Sequence, residues 1–226
     1  MNTLICGRMK EGKTTLALYL AREWANGVVA WDPRHRITGA TYVYSGDELE
    51  DAIMDKKWRD GLIVFRPDGL RIEEQFDEMC GVLFTPVERF DHFALVIDEA
   101  ADLQSAHRIS PRLSQAVRQH PRSVLIVQTT HSLQDWHRAS KDLTSDVYTF
   151  RLRGRSLQAL VEFCDGGSEM YETVAALPRH HCIHINLEAT ETAEEEIELL
   201  DDPKMWYSPD SQVEEDGNYD SQAASV

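Results

Sequence analysis

Residues Gly7-Arg8-Met9-Lys10-Glu11-Gly12-Lys13-Thr14 form a G-x-x-x-x-G-K-[ST] pattern. The apolar run Leu4-Ile5-Cys6 leads into it, and Thr15-Leu16-Ala17-Leu18-Tyr19-Leu20-Ala21 follows with helical spacing. A strand before and a helix after give this short pattern its meaning as a phosphate loop, or Walker A motif. Backbone N–H groups of such a loop and of the helix start wrap nucleotide phosphates. The expected ATP-binding residues are therefore Gly7, Arg8, Met9, Lys10, Glu11, Gly12, Lys13, Thr14 and Thr15. Lys13 is expected to reach the β- and γ-phosphates, and the Thr14 hydroxyl to ligate Mg2+. Lys10-Glu11 is unusual, because many such loops carry small residues there. An unusual backbone angle at either costs on the order of 1 kcal/mol.

The second chemical motif is Phe93-Ala94-Leu95-Val96-Ile97-Asp98-Glu99-Ala100, an apolar strand ending in two acids, as in a Walker B motif. Asp98, emerging from a buried strand, is expected to hold Mg2+ through water or Thr14. Glu99 is expected to orient and deprotonate an attacking water, which implies hydrolysis rather than transfer to a substrate hydroxyl. A further strand, Val124-Leu125-Ile126-Val127-Gln128-Thr129-Thr130, ends in polar residues. Beside the Walker strands it would bring Gln128 toward the γ-phosphate as a sensor of that group.

The elements that must position these residues alternate along the chain. Strands are predicted at 2–6, 27–31, 41–44, 61–66, 93–98, 123–128, 146–152 and 181–187. Helices are predicted at 13–25, 47–57, 71–83, 110–119, 132–139, 155–163 and 168–176. Such alternation implies an α/β fold with a mostly parallel sheet and helices on both faces. The runs at 93–98 and 123–128 are apolar throughout, as expected of central strands buried on both sides.

Charge divides the chain in two. The net charge is −16 over 226 residues, but from Glu188 onward thirteen acidic residues stand against Lys204 alone. Residues 1–187 are expected to form the ATPase domain, and 188–226 an acidic C-terminal tail, partly disordered or partner-binding. Thr190 to Leu200 has the composition of a short acidic helix. From Arg108 to Arg155 nine arginines and lysines face three aspartates, a balance compatible with a polyanion partner. Cys6, Cys80, Cys164 and Cys182 lack C-x-x-C spacing and read as reduced, mostly buried thiols. His180, Cys182 and His184 would share one face of a strand, but the intervening Ile183 and Ile185 favour a half-buried edge strand over a metal site. No apolar run approaches the length that spans a bilayer. With the phosphate loop starting at residue 7 there is no room for a signal peptide, so a cytosolic protein, or one entering a particle assembled there, is expected.

The set Gly7–Thr14, Asp32-Pro33 after the second strand, Asp98-Glu99-Ala100 and a strand ending in Gln128-Thr129 resembles the FtsK–HerA superfamily of DNA-pumping P-loop ATPases. Within it, the size and the Gly-Arg opening of the loop look most like genome-packaging ATPases of tailless, often membrane-containing, double-jelly-roll viruses. That resemblance covers about residues 1–187. It implies a RecA-like P-loop NTPase using ATP and Mg2+, assembled as a homo-oligomeric ring, a hexamer or pentamer, on double-stranded DNA. It also implies a capsid vertex or membrane protein as anchor, and a location in the host cytoplasm and virion. An arginine supplied by the neighbouring subunit is implied as well. The region before the Gln128 strand gives Arg122 first and Arg118 second, with Arg112 as a further candidate. Candidate DNA-backbone contacts are Arg34-His35-Arg36, Lys56-Lys57 with Arg59, and Arg151-Arg153-Arg155.

Two other classes share the phosphate loop. A nucleoside or nucleotide kinase would need an acceptor site and an arginine-rich lid, and Asp98-Glu99 is less natural there. An assembly or secretion ATPase resembling the filamentous-phage Zot family would usually carry a membrane span. GTPases are disfavoured by the lack of Asn-Lys-x-Asp, and transporter ATPases by the lack of Leu-Ser-Gly-Gly.

Overall fold

β1 (Asn2–Cys6), α1 (Lys13–Trp24), β2 (Gly27–Trp31), β3 (Thr41–Val43), α2 (Gly46–Met54), β4 (Leu62–Phe65), α3 (Ile72–Leu83) and β5 (Phe93–Ile97) make up the first half. The chain continues through β6 (Gln104–Ser105), β7 (Arg108–Ile109), α4 (Pro111–Gln119), β8 (Val124–Thr130) and α5 (Arg138–Lys141). It ends in β9 (Asp146–Phe150), α6 (Gly154–Phe163), α7 (Ser168–Ala176), β10 (Cys182–Asn186) and β11 (Glu198–Leu199). This computed structural model describes residues 1–55, 61–84, 92–119, 123–134, 136–188 and 198–199.

The main sheet has the order β11-β10-β9-β1-β8-β5-β2-β4-β3. From β9 to β3 every neighbouring pair is parallel, whereas β10 and β11 are added antiparallel at one side. Parallel strands begin at one end of a sheet and finish at the other, so the loop after β1 and the ends of β5 and β8 meet at a common carboxyl edge. Ligands of open α/β sheets bind at that edge.

Two apolar layers flank the sheet and differ in their helices. One contains Leu16, Ala17 and Ala21 of α1 against Ala30, Ala94, Val96 and Val127. These small side chains let α1 lie close over the central strands. The other contains buried residues of α2, α3, α4, α6 and α7 and takes the large side chains of the same strands. There Trp31 stacks on Phe65, with ring centroids 5.5 Å apart, and meets Phe76 edge-on at 5.2 Å. Alternate residues of each strand thus divide between the layers, and this parity decides where the polar residues at the strand ends point.

Strand and helix boundaries differ little from those expected, with three exceptions. The helix expected at 132–139 is displaced to α5. Thr130 Oγ1 donates to Ser132 O and accepts from Ser132 N, and Ser132 Oγ accepts from Gln134 N. These hydroxyl turns compete with helical hydrogen bonding, and the helix begins only after His137, whose Nδ1 accepts from Ala139 N. The β6–β7 hairpin was not expected. Glu198 and Leu199 pair with β10 as strand rather than helix, and the rest of the expected 190–200 helix lies outside the described residues. Cys6, Cys80, Cys164 and Cys182 are all free and buried.

Candidate nucleotide site

The phosphate loop is shaped by backbone constraints and by packing from β9. A Cβ on Gly7 would lie 2.7 Å from the Phe150 Cβ, too close for any side chain. Gly12, the residue before α1, has φ 106°, a conformation that favours glycine. Lys10 adopts φ 61° without being glycine, so the strain expected in the loop falls there and not on Glu11. Glu11 is buried. Its carboxylate accepts from His180 N at 3.3 Å and pairs with Arg151 at 3.5 Å, while Glu11 O lies 3.2 Å from His180 Nδ1. The loop is thereby tied to the ends of β9 and β10. Arg8, Met9, Lys10 and Thr15 are exposed, and α1 starts with no side-chain cap on its first N–H groups, which leaves them for an anion.

Lys13 is buried, its Nζ held by Arg8 O at 3.0 Å and by His131 Nδ1 at 2.9 Å. Burial pushes the ammonium below its ordinary range, Glu99, Asp98 and Cys6 oppose the fall, and Arg36 adds to it. Thr14 Oγ1 donates to Asp98 Oδ1 at 2.8 Å. A second hydroxyl, Thr129 Oγ1, donates to the same oxygen at 2.8 Å. Asp98 Oδ2 is buried and accepts no hydrogen bond among the described residues. Burial raises the Asp98 carboxyl above its usual range despite both hydroxyls, and the nearby acids Glu99 and Asp32 add to the rise.

Glu99 occupies the left-handed region, φ 52° and ψ 48°, and its N–H donates to Thr129 Oγ1 at 3.1 Å. Its Oε1 lies 2.6 Å from His131 Nε2 and 3.6 Å from Arg36 Nη1. Burial works to raise this carboxyl, but the His131 hydrogen bond and the positive charges of Lys13 and Arg36 outweigh it, and the group sits below the usual range. Arg36 reaches this position because Asp32, fully buried at the end of β2, accepts from Arg36 N and Ile37 N and folds the following turn.

The structure therefore brings Lys13, Thr14, Asp98 and Glu99 together, and adds Thr129 and His131. Gln128 differs from expectation. Its side chain shares the parity of Val124 and Ile126 and points to the face opposite α1. There Gln104 Nε2 donates to Gln128 Oε1 at 3.1 Å and Ser140 Oγ donates to Gln104 Oε1 at 2.8 Å. Strand alternation turns Gln128 away from the phosphate loop and turns Thr129 toward it.

Among the arginines, Arg118 is exposed in the last turn of α4. Asn2 Nδ2 donates to Val117 O at 3.0 Å, which fixes that turn at the amino edge of the sheet, away from the chain's own Lys13. Arg112 is exposed and donates to Gln115. Arg122 lies outside the described residues, as do Lys56, Lys57 and Arg59. Arg34 pairs with Asp102 at 3.2 Å, and Arg36 and Arg151 are engaged with Glu99 and Glu11. Arg153 and Arg155 are exposed at the start of α6. His180, Cys182 and His184 take three separate partners or environments: Glu11, the apolar layer beside α1, and Asp146 at 2.9 Å.

No protein-family model matches the chain, and no curated protein matches it in sequence. Solved structures do match its fold. The genome packaging NTPase B204 from Sulfolobus turreted icosahedral virus 2, in complex with ATP-gammaS, superposes with a TM-score of 0.67 at 14% identity, over 88% of this chain and 95% of that one. B204 from Sulfolobus Turreted Icosahedral Virus, a DNA-packaging ATPase, gives 0.64 at 15% identity, over 88% and 95%. VirB4 of Thermoanaerobacter pseudethanolicus gives 0.60 at 11% identity, covering 91% of each chain. With its sheet of parallel strands and an antiparallel edge between flanking helices, the chain has the RecA-like P-loop NTPase fold.

Proposed function

We propose that this chain is an ATP-driven translocase of the FtsK–HerA type that packages viral double-stranded DNA into a preformed capsid, hydrolysing ATP with Mg2+. The observation that carries the reading is the convergence of Lys13, Thr14, Asp98 and Glu99 at the carboxyl edge of the sheet, in a fold shared with B204.

Lys13 binds the β- and γ-phosphate oxygens, with the loop N–H groups around them. The Thr14 hydroxyl and the unpartnered buried Oδ2 of Asp98 form an oxygen donor pair that fits Mg2+, a hard cation that takes few protein ligands and keeps several waters. When bound, the ion neutralises charge on the β- and γ-phosphates. Glu99, held as the carboxylate, accepts the proton of the attacking water. Phosphoryl transfer also needs a cation on the γ-phosphoryl oxygens. Arg122 and then Arg118 are the candidates for it, and Arg118, at the amino edge of the sheet away from its own loop, suits the site of a neighbouring subunit in a ring. Arg153 and Arg155 are the best placed of the candidate contacts to DNA phosphates, because the other described candidate arginines already pair with carboxylates. Contact with the backbone rather than the bases suits a motor that must pass any sequence. Such a motor works in the host cytoplasm and at the packaging vertex, anchored by a capsid or membrane protein. Among the described residues no helix is long and apolar enough to cross a membrane.

The test is ATP turnover and light scattering, with and without duplex DNA. A ring that forms with a nonhydrolysable ATP analogue, and turnover stimulated by DNA, are expected. Turnover indifferent to DNA, or phosphate transferred to an added nucleoside, would overturn the translocase reading.

A further inference from the structure

His131 belongs to neither Walker motif, yet it touches both halves of the site. Nδ1 lies 2.9 Å from Lys13 Nζ, and Nε2 lies 2.6 Å from Glu99 Oε1. An ammonium only donates and a carboxylate only accepts, so the ring accepts at Nδ1 and donates from Nε2. Gly7 O, 3.3 Å from Nδ1, is the more distant neighbour. Lys13, the imidazole and Glu99 thus form one hydrogen-bonded line. The ring is placed by the end of β8, where Thr130 and Ser132 bond to each other and turn the chain over the phosphate loop. Arg36 approaches the same Glu99 oxygen, but at 3.6 Å and with its side chain 48% exposed, so its hold is looser.

We propose, on the reading of this site as an ATPase centre, that His131 is a positioning residue that couples triphosphate capture by Lys13 to the orientation of Glu99. A γ-phosphate competes with His131 Nδ1 and Arg8 O for the Lys13 ammonium. Once the phosphate has taken it, the ring is free on its Nδ1 side and still donates to Glu99. The carboxylate is then set according to whether a terminal phosphate is bound. A diphosphate makes a weaker demand on Lys13 and leaves more of the line intact.

Two amides separate the ring nitrogens. Asparagine at 131 reaches the place of Nδ1, and glutamine that of Nε2. His131→Gln is expected to keep kcat within roughly threefold of the unaltered protein, because the donor to Glu99 remains. His131→Asn and His131→Ala are expected to lose roughly 10- to 100-fold in kcat, the scale of a catalytic group misplaced by about an ångström. KM for ATP is expected to stay unchanged in His131→Asn, which keeps a competitor for Lys13, and to stay unchanged or fall in His131→Gln and His131→Ala, where that competitor is weakened or gone. Binding of a fluorescent ATP-gammaS analogue to each variant reports that the loop is folded. Equal kcat for the Asn and Gln variants, or a raised KM with kcat intact, would overturn the coupling and leave the ring a loop-shaping residue. Lys13→Ala and Glu99→Gln serve as controls. If they do not abolish turnover, the site reading itself fails; if they do while all three His131 variants remain active, this inference alone fails.

Discussion

The hydroxyl of Thr129 donates to Asp98 Oδ1 at 2.8 Å, and its oxygen accepts the N–H of Glu99 at 3.1 Å, so one side chain holds both acids of the motif. Thr129→Val keeps the shape and removes both bonds. The Glu99 N–H is then buried without a partner, a loss of about 1–3 kcal/mol. Denaturant unfolding should show that loss, and ATP turnover should fall by roughly 10-fold or more as Glu99 drifts. Unchanged turnover would mean that Thr129 does not hold the pair in place.

Lys10 carries backbone strain in the phosphate loop, with φ 61°. Lys10→Gly relieves about 1–2 kcal/mol of left-handed strain, partly offset by the greater freedom of glycine in the unfolded chain. A net gain of roughly 0.5–1 kcal/mol is expected in denaturant unfolding. Gly7→Ala, which sets a methyl 2.7 Å from Phe150, is expected to destabilise the protein and weaken nucleotide binding together.

Glu11→Gln tests the tie between the loop and the sheet edge. It removes the charge that faces Arg151, at a cost on the order of 2 kcal/mol. Titration with a fluorescent ATP analogue should show weaker binding, while turnover at saturation is retained.

Acid stability should depend on Asp146, which meets His184 at 2.9 Å and Ser145 at 2.8 Å. Burial works to raise its carboxyl, but these bonds, with the charges of His184 and the N-terminus, hold it below the usual range. A depressed folded-state pKa contributes stability above the unfolded value, about 3.9, and loses it as the pH falls through the folded one. Unfolding measured from about pH 5 downward should show this loss, and Asp146→Asn should flatten it.

Subunit mixing tests the arginine in trans. Arg118→Ala is expected to bind ATP normally and to lose turnover by roughly 1,000-fold or more. Mixing it with Glu99→Gln subunits, which retain Arg118, should restore activity at mixed interfaces. Full turnover by Arg118→Ala together with loss in Arg122→Ala would assign the role to Arg122.

The loop, the order of most strands and helices, and the approach of Thr14 to Asp98 were legible because local patterns encode them. A glycine-framed loop between an apolar strand and a helix, and a buried strand ending in acids, carry their own context. Side-chain parity was not legible for β8. Val124-Leu125-Ile126-Val127 is apolar on both faces, so nothing in it marks Gln128 as facing one layer and Thr129 the other. His131 was missed for a related reason: it becomes a site residue only where β8, the phosphate loop and Glu99 meet. Leu133 and Trp136 mimic helical spacing at 132–139, but both are buried beside hydroxyl turns that prevent a helix.

The left-handed backbone at Glu99 has a consequence for what the chain can tolerate. Had β5 run on through Glu99, two residues past Ile97, alternation would have sent Glu99 to the face opposite Asp98, among the side chains of the five-helix layer. Reversal of the chain immediately after Asp98 keeps neighbouring acids on the same side. Register at this point is therefore as demanding as chemistry: a single inserted or deleted residue between Ile97 and Ala100 disarms the site even with every acid retained. Bulky β-branched replacements at 99 would resist the bend for steric reasons alone.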